Sequence, residues 1–144
     1  MLIQAILKSK SSDGVVTIGP DAKVSEAACL LAEKKIGTVV VSADGQTPDG
    51  ILSERDIVRE LGNSGGGCLD KAVSEYMTRK LVTCTSQSNV DEVLQQMTDG
   101  RFRHMPVVEE GKLIGIVTLG DVVKAQLAKV AMEKDALQGM IMGH

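Results

Sequence analysis

Aromatic residues are almost missing from this chain of 144 residues: Tyr76 and Phe102 are the only two, and there is no Trp. The core must therefore be aliphatic, and platforms on which single-stranded nucleic acid could stack are not there. Dense runs of Lys and Arg are also missing and the formal net charge is −3, which disfavours tracking of a nucleic-acid backbone. No apolar run approaches a membrane span, and Met1 to Leu7 is too short, and without a basic leader, for a signal-peptide core. Cys29, Cys68 and Cys84 form no CxxC pair. Such a set fits a reduced, cytoplasmic setting, with Cys29 and Cys84 as small buried apolar residues. His104 and His144 are the whole supply of histidine, too few for a metal site or a nucleophile–His–acid set. The expectation is a protein without metal, required cofactor or catalysis.

What the chain has is an internal repeat. Gly50-Ile51-Leu52-Ser53-Glu54-Arg55-Asp56 returns 65 residues later as Gly115-Ile116-Val117-Thr118-Leu119-Gly120-Asp121. Upstream, Val24, Ala27, Ala28 and Leu31 match Val90, Val93, Leu94 and Met97 at an offset of 66, each set spaced as one face of an amphipathic helix. Val16-Thr17 matches Val82-Thr83 at the same offset, and Ser88 with Asp91 reads as a capping box for the second helix. Aliphatic strands follow at Ile36 to Val41 and Phe102 to Val108, with turns at Ala43 to Asp49 and Glu109 to Lys112; the second turn carries the deletion that changes the offset. Each half reads strand, helix, strand, strand, helix. Half a chain of this size is marginal alone, so the expected fold is α+β, two βαββα repeats packed about a pseudo-two-fold axis. Residues 1–61 form the first repeat, 62–79 a linker, and 80–144 the second repeat with a C-terminal helix. Gly62 and Gly65 to Gly67 have no Lys-Ser/Thr after them, so they read as a flexible connection and not a phosphate loop. Val123, Leu127 and Val130, with Leu137 and Met140 to Met142 beyond, put apolar surface on the last helix, which points to a second copy of the chain as its cover and hence a homodimer.

The duplicated motif carries the chemistry. A buried strand runs into a hydroxyl residue that can cap a helix, and the Asp falls on the helix's first turn, beside unpaired backbone N–H groups. Caps alone would account for Ser53-x-x-Asp56 and Thr118-x-x-Asp121. A phosphorylated ligand would also be held at such a junction. Arg101 and Arg103, flanking Phe102, are open to a plain reading as a solvated strand edge, and His104 to one as a hydrogen-bonded structural residue.

With Ile36 to Val41, Gly50 to Asp56, Tyr76-Met77-Thr78, Arg103 to Val108 and Gly115 to Asp121 in this order, the chain resembles a tandem cystathionine β-synthase (CBS) domain pair, or Bateman module. It resembles in particular small stand-alone bacterial proteins that consist of little else. The resemblance implies a regulatory module that binds AMP, ADP or ATP between the halves and changes conformation, with S-adenosylmethionine or NAD as alternatives. A ligand-free module docking on an enzyme or transporter is the alternative of another class. The family's ribose-binding Asp falls on Asp56 and Asp121, and its hydroxyl partner on Ser53 and Thr118. Adenine would lie against Thr17 and Ile18 or Thr83 and Cys84, with Thr38 and Met105-Pro106 opposite. Arg55, Arg103 and Lys80 are placed for phosphates, with His104 a lesser candidate. The copies differ, Glu54-Arg55 against Leu119-Gly120 and Val39-Val40 against Met105-Pro106, so which cleft is filled stays open.

Overall fold

A computed structural model describes residues 1–10 and 15–141. The chain runs through helix α1 (Ile3–Ser9), strand β1 (Thr17–Ile18), α2 (Val24–Lys34), β2 (Thr38–Val41), β3 (Gly50–Ser53) and α3 (Glu54–Ser64). It continues through α4 (Val90–Gly100), β4 (His104–Glu109), β5 (Lys112–Thr118) and the long α5 (Leu119–Ile141). One sheet has the order β1-β2-β3, with β1 parallel to β2 and β3 antiparallel; the other pairs β4 with β5 antiparallel. The fold is α+β with two small sheets, one per repeat. Thr38 and His104 hold the same place in the two repeats, 66 positions apart, and their side chains meet at 3.1 Å. A residue that touches its own counterpart lies on the axis relating the copies, so these two mark the pseudo-two-fold.

The helical periodicity places the cores. Val24, Ala27 and Leu31 of α2 bury against β2 and β3 of the first half, while Val90, Val93 and Met97 of α4 bury with Met105, Val107 and Val117 of the second. Both helices end on a left-handed residue, Lys35 at φ 55° and Arg101 at φ 56°, again 66 positions apart. Their N–H groups close the last turns on the Leu31 and Met97 carbonyls.

Each half is completed by a segment from outside its own βαββα unit. Residues after the glycine cluster pack on the first half: Val73 N–H donates to the Ala22 carbonyl at 2.7 Å and Val24 N–H to Lys71 at 2.9 Å. The N-terminal segment does the same for the second half, with Ile3 N–H to the Ser88 carbonyl at 2.9 Å and Val90 N–H to Met1 at 3.0 Å. Ile3 and Ile6 thereby enter the second core, and Val73 and Met77 the first. The glycine that opens each motif is where these segments approach most closely. A Cβ on Gly50 would stand 2.6 Å from Met77 Sδ and 2.9 Å from the Thr78 carbonyl oxygen, and one on Gly115 2.7 Å from Leu7 Cδ2.

Several local expectations are corrected. Residues 62–79 are not a loose connection: α3 runs on to Ser64, and 3₁₀ turns span Gly65–Asp70 and Val73–Glu75. Burial of Cys68 and Val73 anchors them, which outweighs the glycines' freedom. The second helix is capped by Asn89, whose side chain accepts the Asp91 N–H, while Ser88 Oγ accepts from Thr85 N–H. The second half's first strand shrinks to a single bridge, Cys84 to Val107. Pro106 is the cause. Val40 N–H donates to the Val16 carbonyl in the first half, and Pro106, in Val40's place, has no N–H to offer Val82. The strand expected from Phe102 begins at His104. Cys29 is exposed; Cys68 and Cys84 are the buried thiols, and burial pushes Cys84 up to about 11. The last helix extends through Ile141, leaving Met142 to His144 outside the described residues. Among the described residues no helix is long and apolar enough to cross a membrane.

Candidate functional site

The two motif junctions fold alike. Ser53 ends β3 and caps α3: its Oγ accepts the Asp56 N–H at 3.1 Å, and Asp56 Oδ2 accepts the Ser53 N–H at 2.9 Å. Thr118 and Asp121 repeat this reciprocal cap at 3.0 Å and 2.9 Å. Glu54 N–H reaches the Gly37 carbonyl and Leu119 N–H the Arg103 carbonyl, at 2.9 Å and 2.8 Å. Both carboxylates are thus pinned by backbone at the positive end of a helix, where negative charge is favoured. Capping is the first job of each Asp.

Their surroundings then diverge. Asp56 lines a cleft of about 510 Å³ between the halves, within the range of small-molecule sites. Its walls are the start of β2 at Gly37 and Thr38, the β3–α3 junction with Ser53 to Asp56 and Arg59, the stretch Thr78 with Lys80 to Val82, and Gly100 to His104. One wall therefore comes from the chain entering the second half, and another from the turn after α4. Asp56 Oδ1 accepts a hydrogen bond from Arg59 at 2.8 Å, but the Arg59 side chain is 57% exposed; such a pair is worth about 0–1 kcal/mol and yields easily. Asp121 does not line this cleft. Lys10 Nζ bonds its Oδ2 at 2.8 Å and the Ile116 carbonyl at 3.0 Å. In the first half the carbonyl in that place, Ile51, takes the Thr78 N–H. Burial alone would raise the Asp121 pKa, but the Lys10 ammonium and the Thr118 N–H hold it below the ordinary carboxylate value.

Of the residues singled out from the sequence, the cleft brings together Asp56, Ser53, Arg55, Thr38, Lys80, Arg103 and His104. His104 is pushed below its ordinary value chiefly by burial, with Glu54 opposing and Arg103 adding to the shift, so its ring is neutral at pH 7. The others lie elsewhere. Thr17 and Ile18 sit on β1, Ile18 facing a shallow groove along α2; Thr83 is exposed, and Cys84, Met105 and Pro106 are buried in the second half. Thr118 and Asp121 face Lys10. At the repeat offset the counterparts of Lys80 to Val82 are residues 14–16, of which 14 lies outside the described residues. Arg59 and Arg101 line the cleft as well, and the sequence pattern does not single them out for it. Arg59 has a signal, one helical turn after the motif Asp; Arg101 does not, because the left-handed turn that carries it to the cleft rim is set by tertiary packing. Among the described residues no three His, Cys, Asp or Glu side chains are grouped to hold a metal ion.

Known proteins with this architecture can now be set beside the chain. The family model described as CBS domain matches it twice, over residues 8–63 and 73–128. The CBS-domain containing protein ATU1752 from Agrobacterium tumefaciens is 46% identical, superposes with a TM-score of 0.82, and is covered over 99% of its chain by 88% of this one. A mitochondrial CBS domain-containing protein of Arabidopsis thaliana, CBSX3, is 35% identical over 94% of this chain and 68% of its own length. The CBS domain pair of protein MJ0100, solved with 5′-methylthioadenosine and S-adenosyl-L-methionine, is 26% identical with a TM-score of 0.76 over 90% of this chain and 98% of that one. A Pyrobaculum aerophilum CBS domain protein complexed with AMP, 23% identical, shares the fold at a TM-score of 0.78 over 92% of this chain and 99% of that one.

Proposed function

This chain belongs to the CBS-domain family as a tandem pair, and from that premise we propose that it is a non-catalytic regulatory module that binds an adenine nucleotide in the cleft at Asp56. The observation that carries the reading is the placement of a buried carboxylate and a ring of cations around one open space between the repeats. The Asp56 carboxylate can accept the two cis hydroxyls of a ribose once Arg59 swings away, at about 1.5–3 kcal/mol per charge-assisted hydrogen bond. The Val82 carbonyl, left without a strand donor by Pro106, is free to take an amino group of the base. Family members solved with adenosine compounds support the ligand class.

Ligand binding here changes conformation because the cleft is walled by both repeats. A nucleotide bridging Ser53–Asp56 and the stretches Lys80–Val82 and Arg101–His104 draws the halves together across the Thr38–His104 contact. The readout passes to a second copy through α5, whose Leu127, Val130 and Leu137 are 65%, 50% and 57% exposed and share one helix face. A regulated enzyme or transporter would meet that assembly, in the cytoplasm of a bacterial cell.

Thermal denaturation with AMP, ADP, ATP and S-adenosylmethionine tests the reading. A ligand at 100 times its Kd adds about 2.7 kcal/mol, or roughly 5–10 °C in Tm for a chain of this size. Asp56→Asn should weaken binding about 10- to 100-fold, and Asp121→Asn far less. No shift with any adenosine compound overturns the reading. Native mass spectrometry of the same sample checks for a dimer and for any nucleotide carried through purification.

A further inference from the structure

The charge in the Asp56 cleft is more specific than an adenosine site requires. Five cations line it, Arg55, Arg59, Lys80, Arg101 and Arg103, against two acids, Glu54 and Asp56. Arg59 is held by Asp56. Arg55, Lys80, Arg101 and Arg103 make no ion pair among the described residues. They come from three separate places, the first turn of α3, the entry to the second half, and the left-handed turn after α4, yet meet at one opening. Three of the four are arginines, whose planar forks hold phosphate oxygens two at a time.

Only part of this follows the repeat plan: Lys35 matches Arg101 and Lys124 matches Arg59, but the other three cations have no charged counterpart. Gly120 stands in the place of Arg55, and Gly37 in that of Arg103. Positive charge has been gathered at one cleft in a chain whose net charge is −3. Four like charges outside any ion pair repel one another, and a single phosphate offsets at most two of them. A di- or triphosphate offsets three or four. A ligand carrying a sulfonium would bring a further cation to the same place.

We propose that this cleft selects nucleoside polyphosphates, with ATP and ADP preferred over AMP and S-adenosylmethionine excluded, and that Arg55 and Arg101 set the preference. The proposal rests on the adenosine reading of the same site. Ribose at Asp56 leaves the Ser53 cap and the α3 N-terminus for the first phosphate, and Arg59, displaced from Asp56, becomes a further ligand for the chain of phosphates beyond.

Isothermal titration of the full chain with adenosine, AMP, ADP, ATP, S-adenosylmethionine and inorganic tripolyphosphate tests it, at two salt concentrations. The expected order is ATP, ADP, AMP, adenosine, with about tenfold per added phosphate and the steepest salt dependence for ATP. In the double variant Arg55→Gln, Arg101→Gln the ATP-to-AMP ratio should collapse toward unity. Because both side chains are exposed, the variant keeps its fold, and competition of tripolyphosphate with ATP on the unaltered chain probes the same cations without mutation. AMP or S-adenosylmethionine binding as tightly as ATP overturns the polyphosphate preference and leaves the adenosine reading standing. Tripolyphosphate binding without any nucleoside preference does the reverse. Binding of none of these overturns both.

Discussion

The first and second repeats cap their motif helices with the same pair of hydrogen bonds, and what reaches the capping carboxylate then sets them apart. At Asp56 it is Arg59, from the same helix, largely in water, beside an open cleft. At Asp121 it is Lys10, from the far end of the chain, with 28% of its side chain exposed and a second bond to the Ile116 carbonyl. One junction is left available and its twin is closed by the protein's own ammonium. The two repeats give equivalent scaffolds, and residues outside the motif leave one carboxylate beside an open cleft and set an ammonium against the other. The difference shows that a motif Asp in a repeat reports a helix cap first, and that its availability to a ligand is decided by whichever segment lies over it.

The segments that lie over the junctions offer the hardest blow to this picture. Ile3 is fully buried in the second half although it begins the chain, and Val73 is fully buried in the first although it comes after it. Ile3→Ala should cost about 2–5 kcal/mol, as expected for a large-to-small change in a tight core, and Val73→Ala somewhat less because fewer atoms are lost. Hydrogen exchange should show the losses crossing over: amides of β4 and β5 lose protection in the first variant, those of β2 and β3 in the second. A loss below about 1 kcal/mol for Ile3→Ala in urea denaturation would show that α1 is not part of the second core.

The motif glycines give a finer contrast. Gly50→Ala puts a methyl against Met77 and the Thr78 carbonyl, which is backbone and cannot step aside. Gly115→Ala meets the tip of Leu7, a flexible side chain at a helix end. Overpacking of this kind costs about 1–3 kcal/mol, with Gly50 at the upper end and Gly115 at the lower. Denaturation midpoints measured on the two single variants decide it; equal losses would mean that α1 is held as rigidly as the 73–78 segment.

Much of this was legible in the sequence, for physical reasons. Helix periodicity at Val24 to Leu31 and Val90 to Met97 and the Gly-to-Asp motif are local patterns, and local patterns survive in one dimension. The crossing of α1 to the second half was not legible. Ile3-Gln-Ala-Ile-Leu7 and Val73-Ser-Glu-Tyr-Met77 share little beyond apolar ends, and their spacing of 70 differs from the repeat offset of 66. The strand lost at Val82 could have been read, since Pro106 states directly that a donor is missing. The closing of Asp121 by Lys10 could not, because it depends on where α1 docks.

That closing contact gives the smallest and most pointed test. Lys10→Met keeps the length of the side chain, removes the ammonium and should cost no more than about 1 kcal/mol at neutral pH, as for other partly exposed pairs. Its pH dependence is the better measure. Asp121 has its folded pKa lowered, with Lys10 and Thr118 outweighing burial, so its contribution is present above the unfolded carboxylate value of about 3.9 and is lost as pH falls through the folded one. The stability gap between the parent chain and Lys10→Met should therefore be constant from about pH 7 to pH 5 and shrink as pH falls below the unfolded value of about 3.9. Arg59→Met at the other junction should cost less at neutral pH, since the Arg59 side chain is 57% exposed against 28% for Lys10. If the two losses match at neutral pH, the exposed guanidinium holds Asp56 as firmly as Lys10 holds Asp121, and the first junction is as closed as the second.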